Sequence, residues 1–163
     1  MTAKPNAPGQ ESALREELVG LLEGGRAHAT FEDAVEGFPL EMRGATLPGV
    51  AHTPWQILEH LRLAQWDILE FCRNPSHESP NWPEGYWPKE PAPPTKTAWN
   101  ESVKRFLEDR TALTTWIQDG STDLFASVPN QDGPRLLHQI VITAQHNSYH
   151  LGQLLLLRRA LER

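Results

Sequence analysis

The stretch HTPWQILEHLRLAQWDILEF, residues 52–71, decides the fold class. Thr53 suits an N-cap, Pro54 stands at the first helical position where a missing N–H costs nothing, and Gln56 completes a capping box. From there Trp55, Ile57, Leu58, Leu61, Leu63, Ala64, Ile68, Leu69 and Phe71 recur with helical periodicity until Asn74 and Pro75 stop it. The segment reads as a long amphipathic helix with His60 about two turns inside.

Working outward, Ser12, Glu16 and Glu17 precede or flank a Leu14, Leu18, Leu21, Leu22 stripe, which predicts a first helix from about residue 12 to the stop at Gly24 and Gly25. Residues 1–10 are polar and contain prolines, so they are expected to be a flexible N-terminus, with residues 11–163 forming one domain. A short helical turn over residues 30–36 and a loop over 37–52 lead into the second long helix. After it, residues 74–94 are proline-rich and hold Trp82, Tyr86 and Trp87, which predicts an irregular connection packed down by its aromatics. At ~3.3 Å per extended residue it can traverse a ~30 Å helix, so a crossover between parallel helices is affordable there.

A third helix is expected from residue 95 or 97 to 118, buried through Trp99, Val103, Phe106, Leu107, Leu113, Trp116 and Ile117 and ended by Asp119-Gly120. A fourth begins at Pro134 and runs to Leu161, with Arg158 and Arg159 at the end where cations suit the helix dipole. Four long amphipathic helices without an alternating strand make an all-α four-helix bundle.

A net charge of -6 excludes the broad basic face that nucleic acid requires. The longest apolar run, residues 154–157, is far short of the ~20 needed to cross a bilayer, and the opening residues lack the apolar core of a secretion signal. These features lead to the expectation of a cytoplasmic protein. The lone Cys72 cannot form an internal disulfide, fits a reducing compartment, and reads as a small buried apolar residue. Because residues 154–157 are all leucine and cover more than one helix face, a homodimer is also expected.

His146 and His150 are four residues apart inside the last helix, so both imidazoles lie on one face, one turn apart, a spacing at which two rings can grip one ion. Spacing alone does not separate a ligand pair from chance. The pair lies deep in a helix that a four-helix protein must largely bury, and unpaired imidazoles there would carry a desolvation cost of a few kcal/mol. His60 also occupies an interior turn, in line with the apolar Leu63 and Ala64, so a third imidazole is directed at the same core. Cys72 cannot join it, lying ~18 Å further along the helix axis.

Residues 52–71 together with HNSYHLGQLLLLRR, residues 146–159, resemble the DinB-like (DinB/YfiT-like) superfamily, whose last helix ends in a His-x-x-x-His-x-Gly-Gln pattern that this chain matches at His146, His150, Gly152 and Gln153. The pair and the following Gly152-Gln153 carry the likeness. The resemblance implies a bundle in up-down-down-up order with a long crossover between helices two and three. It also implies a histidine triad holding nickel, zinc or a similar ion, here His60, His146 and His150. Family members include thiol-dependent transferases and a maleylpyruvate isomerase, so a low-molecular-weight thiol is one implied partner.

Three neutral imidazoles leave a divalent ion positive and incompletely coordinated, free to take water or a thiol at the open position. Nickel or zinc is favoured, while iron, cobalt and copper are also accepted by imidazole. Asn147 stands where a metalloprotease would carry its glutamate, so that general base is absent. Asp67, ~10 Å along the axis from His60, suits an outer or substrate role, against the plainer reading of a solvated rim carboxylate. His52 and His138 are weaker pocket candidates, His28 and His77 sit in polar surroundings, and Gly152 suggests close helix packing. The expected function is a metal-dependent enzyme on a small molecule, by thiol transfer or hydrolysis; the competing reading is a non-catalytic metal-binding stress-response module.

Overall fold

The computed structural model describes residues 8–129 and 135–163. Its helices are α1 (Pro8–Glu23), α2 (Phe31–Val35), α3 (Pro54–Arg73), α4 (Ala98–Gln118) and α5 (Leu136–Leu161), with a 3-10 turn at Leu40–Met42. Among the described residues, extended pairing is limited to an isolated bridge between Ser127 and Arg135, so the fold is all-α.

The start of α3 is built as its sequence dictates. Thr53 Oγ1 accepts from the Gln56 N–H at 3.2 Å and Gln56 Oε1 accepts from the Thr53 N–H at 3.1 Å. Thr30 and Asp33 form the same reciprocal cap on α2. Gly24 and Gly25, with φ of 77° and 81°, end α1 in a conformation that L side chains resist. The start of α1 differs from expectation, since Pro8, Gly9 and Gln10 already belong to the helix. No large apolar residue lies between Pro8 and Leu14, so periodicity gave no cue to that extra turn. The expected start of the last helix at Pro134 lies outside the described residues.

The helix α3 packs against α4 and α5, and α1 packs against the same two, so four long helices surround the core. The core is two stacked apolar clusters. One gathers Leu58, Leu61, Trp99, Phe106, Leu151 and Leu154; the other gathers Leu18, Leu22, Leu69, Leu113, Ile117 and Ile140. Along α3 and α5 the change from one to the other falls at Gln65 and Asn147. Gln65 Nε2 donates to the Phe106 carbonyl at 2.7 Å, and Asn147 Nδ2 donates to Gln65 Oε1 at 2.9 Å. A buried amide chain thus ties α3, α4 and α5 in one register, because slipping any helix would strand a polar group in the core.

The connection between α3 and α4 runs back along α3. His77 and Tyr86 meet Asp67, while the carbonyls of Pro88 and Pro91 accept from Gln56 and Thr53 at the helix start. Two arginines close helix ends. Buried Arg15 of α1 donates to the carbonyls of Ile117, Asp119 and Thr122, and Arg158 reaches the carbonyls of Asp33, Ala34 and Glu36 at the end of α2 rather than serving α5 alone.

Of the four leucines at 154–157, Leu154 and Leu157 are buried and Leu155 packs on the core. Leu156 is left 69% exposed. Gly152 is exposed with open space where a Cβ would stand, so close helix packing does not account for it, and nothing else in the structure does. No described helix is long and apolar enough to cross a membrane.

Candidate metal centre

His60, 1% exposed, projects from α3 toward the face of α5 that carries His146 and His150. The Nε2 of His60 lies 3.1 Å from that of His150 and 2.9 Å from that of His146. One ligand atom from each of the three lies within 4.8 Å of the others. Four bonds of ~2.0 to 2.1 Å in a tetrahedron would hold such nitrogens ~3.3 Å apart, so the two distances from His60 are close to those of a shared ion.

The proton positions strengthen that fit. His60 Nδ1 is 3.0 Å from the Tyr86 carbonyl, which can only accept, so Nδ1 carries the hydrogen and Nε2 is a bare lone pair. His150 Nδ1 faces Gln153 Oε1 at 2.7 Å, which leaves its Nε2 bare in the same way. Two bare lone pairs 3.1 Å apart have no hydrogen to share. A cation between them removes the conflict, and both second nitrogens already have the acceptors that metal-bound imidazoles require. Among the described residues no carboxylate or thiol joins the group.

Burial, reinforced by the neighbouring imidazoles, lowers His60 and His146 from 6.5 to about 4, and burial lowers His150 as well. All three are neutral, ligand-ready bases at neutral pH. Cys72 lies elsewhere in the core, its thiol pushed up to about 12 by burial, and remains protonated.

The crossover supplies what sequence reasoning missed. Trp87 stacks on His60 with ring centroids 3.7 Å apart and planes within 6°, stacks on His52 at 3.8 Å, and stands edge-on to His150 at 5.8 Å. Asp67 is buried rather than solvated. Its Oδ1 meets His77 Nε2 at 2.7 Å and its Oδ2 accepts from the Tyr86 hydroxyl at 2.6 Å. Burial first, and then Asp67, push Tyr86 up to about 12, so the phenol keeps the proton it donates. Asp67 therefore anchors the residue whose carbonyl orients His60. Of the weaker candidates, His138 is exposed and His28 bonds to Ser148; neither enters the group.

A sequence profile of the DinB superfamily matches residues 23–154, most of the chain and all three histidines. The chain belongs to the DinB superfamily. No curated protein and no solved structure matches it. Within this DinB-superfamily chain the family accounts for the scaffold, and the chemistry rests on the residues around the triad.

Two outcomes follow from the surroundings of the triad. Asp67→Ala releases Tyr86 and lets the His60 ring turn; zinc titration is expected to give unchanged stoichiometry with affinity lowered ~10 to 100-fold. Unchanged affinity would mean that the Tyr86 carbonyl is held by other contacts. The second outcome concerns pH. Unfolded, these imidazoles titrate near 6.5, and folded, His60 and His146 titrate at about 4. Between those values the unfolded chain binds more protons, so the stability of the metal-free protein is complete above 6.5 and falls as pH drops toward 4. Urea melts across that window should show the decline, and a flat profile would contradict it.

Proposed function

We propose that this chain is a metal-dependent enzyme acting on a small molecule, by thiol transfer or by hydrolysis, at a His60, His146, His150 centre with one coordination position open. The observation that carries the reading is the pair of bare Nε2 lone pairs, held face to face by Tyr86 and Gln153, with no fourth protein donor in the group among the described residues. Nickel or zinc suits the site best, and iron, cobalt or copper would also accept three imidazoles. A bound ion would supply Lewis acidity and a lowered pKa for the oxygen or sulfur donor in the open position.

The chain's own residues do the rest. Tyr86 and Gln153 fix the tautomers of His60 and His150, and Trp87 covers one face of His60 against water. Tyr149, 65% exposed, stands edge-on to His150 at 4.8 Å and offers a phenol to a bound substrate. Asn147, an amide where a carboxylate base would follow His146, donates its nitrogen to Gln65.

The scaffold we infer is the up-down-down-up bundle with its long crossover between α3 and α4. Contacts of Glu59 with Ser102 and Gln65 with Phe106 rise together in number, which supports parallel α3 and α4. Contacts of His60 with His150 and Gln65 with Asn147 run oppositely, which supports antiparallel α3 and α5. A reducing, cytoplasmic setting suits the single buried Cys72.

The test is reconstitution of metal-free, untagged protein with nickel or zinc, followed by a screen of thiols with electrophiles and of esters and amides. Activity should require metal and vanish in His150→Ala. Metal-loaded protein inactive across both screens would sink the enzymatic reading. The competing module, which binds metal without catalysis, would instead show a large metal-linked rise in melting temperature and no exchangeable ligand.

A further inference from the structure

A cleft of about 580 Å³ opens beside the triad, between the loop ahead of α3 and the last turns of α5. Its walls are Leu47, Val50, Ile57, Leu156, Leu157 and Ala160. Two polar residues also line it, and both belong to the neighbourhood of the triad. Gln153 holds His150 through Nδ1, and His52 stacks on the Trp87 that in turn stacks on His60. Gln153 and His52 thus join one edge of the cleft to the side chains that surround the centre.

Its chemistry is one-sided. Among the described residues that line it, none is Lys, Arg, Asp or Glu. Leu156 and Val50 are 69% and 44% exposed, apolar surface that the bundle core does not explain and that a ligand would cover. The volume falls within the ~300 to 1,000 Å³ of small-molecule sites, which are mostly apolar with a few polar groups at one end. A carboxylate or ammonium placed here would lose water and gain no opposite charge.

We propose that this cleft binds the neutral, apolar portion of the substrate, an alkyl or aryl group, and directs the polar end past Gln153 and His52 toward the metal position. The substrate class is then a hydrophobic molecule with a single donor head, such as an aliphatic or aromatic thiol or its adduct, and a multiply charged thiol is selected against. This rests on the metal-centre reading for the head group but not for the tail.

The experiment keeps the two apart. Metal-free protein is titrated with 1-hexanol, hexanoate and hexylammonium while backbone amide NMR shifts are followed, and zinc-loaded protein is titrated with 1-hexanethiol. Hexanol should perturb Val50, Ala51 and Leu156 and bind at least about tenfold tighter than either ion. Val50→Glu and Leu156→Glu should each weaken hexanol about tenfold or more and leave zinc affinity unchanged; both positions are exposed enough to accept the substitution without unfolding. Equal binding of the charged probes, shifts centred elsewhere, or no hexanol binding would overturn the cleft assignment even if zinc binds normally. Hexanol binding without zinc binding would sustain the cleft and overturn the metal reading instead.

Discussion

His60→Ala is expected to remove tight metal binding, with a loss larger than the ~10 to 100-fold typical of changing an outer partner. The ring is 1% exposed and its Nε2 is the nitrogen closest to both others, so its loss leaves two imidazoles from a single helix. His146→Ala and His150→Ala should do the same. His138→Ala, an exposed change on the same helix, should leave affinity untouched. Titration of each untagged variant with nickel and zinc, alongside a melting curve to show that it folds, decides the matter. Full-affinity binding by the His60 variant would place the third ligand elsewhere.

Phe106→Ala is expected to lower stability by about 3 to 5 kcal/mol, a large share of the ~5 to 15 kcal/mol of an ordinary domain. Phe106 is 2% exposed, stacks on Phe31 with centroids 4.0 Å apart, and lies in the cluster that includes Leu58, Leu61 and Leu151. The Gln65 bond goes to its backbone carbonyl, so the amide chain survives the substitution. Urea unfolding should report the loss as a lower midpoint, with zinc still bound by the folded fraction. A change below 1 kcal/mol would contradict the packing described here.

These two positions also mark how legible the protein was. Both Phe106 and the helix around His60 follow from local rules, because a capping box, a proline at the first turn and 3.6-residue periodicity act within one segment. The His146 and His150 pair was legible for the same reason. That His60 meets it depends on which helices pack together, and the family likeness suggested this where spacing could not. Tyr86, Trp87 and the Asp67–His77 contact were not legible, because they depend on the path of an aperiodic connection. Asp67 could be read as an outer partner or as a rim carboxylate, because no local sign showed that His77 and Tyr86 would fold onto it. Arg158 shows a related failure, since a cation near a helix end looks like a partner for its own dipole until a neighbouring helix offers open carbonyls.

The central claim is a three-imidazole centre with an open position, and X-ray absorption of zinc-loaded, untagged protein tests it most directly. The predicted spectrum has three imidazole nitrogens at ~2.0 to 2.1 Å and one exchangeable oxygen donor, replaced by sulfur at ~2.3 Å when a thiol is added. A shell of four protein ligands that no thiol alters, or a zinc environment without imidazole, would contradict it.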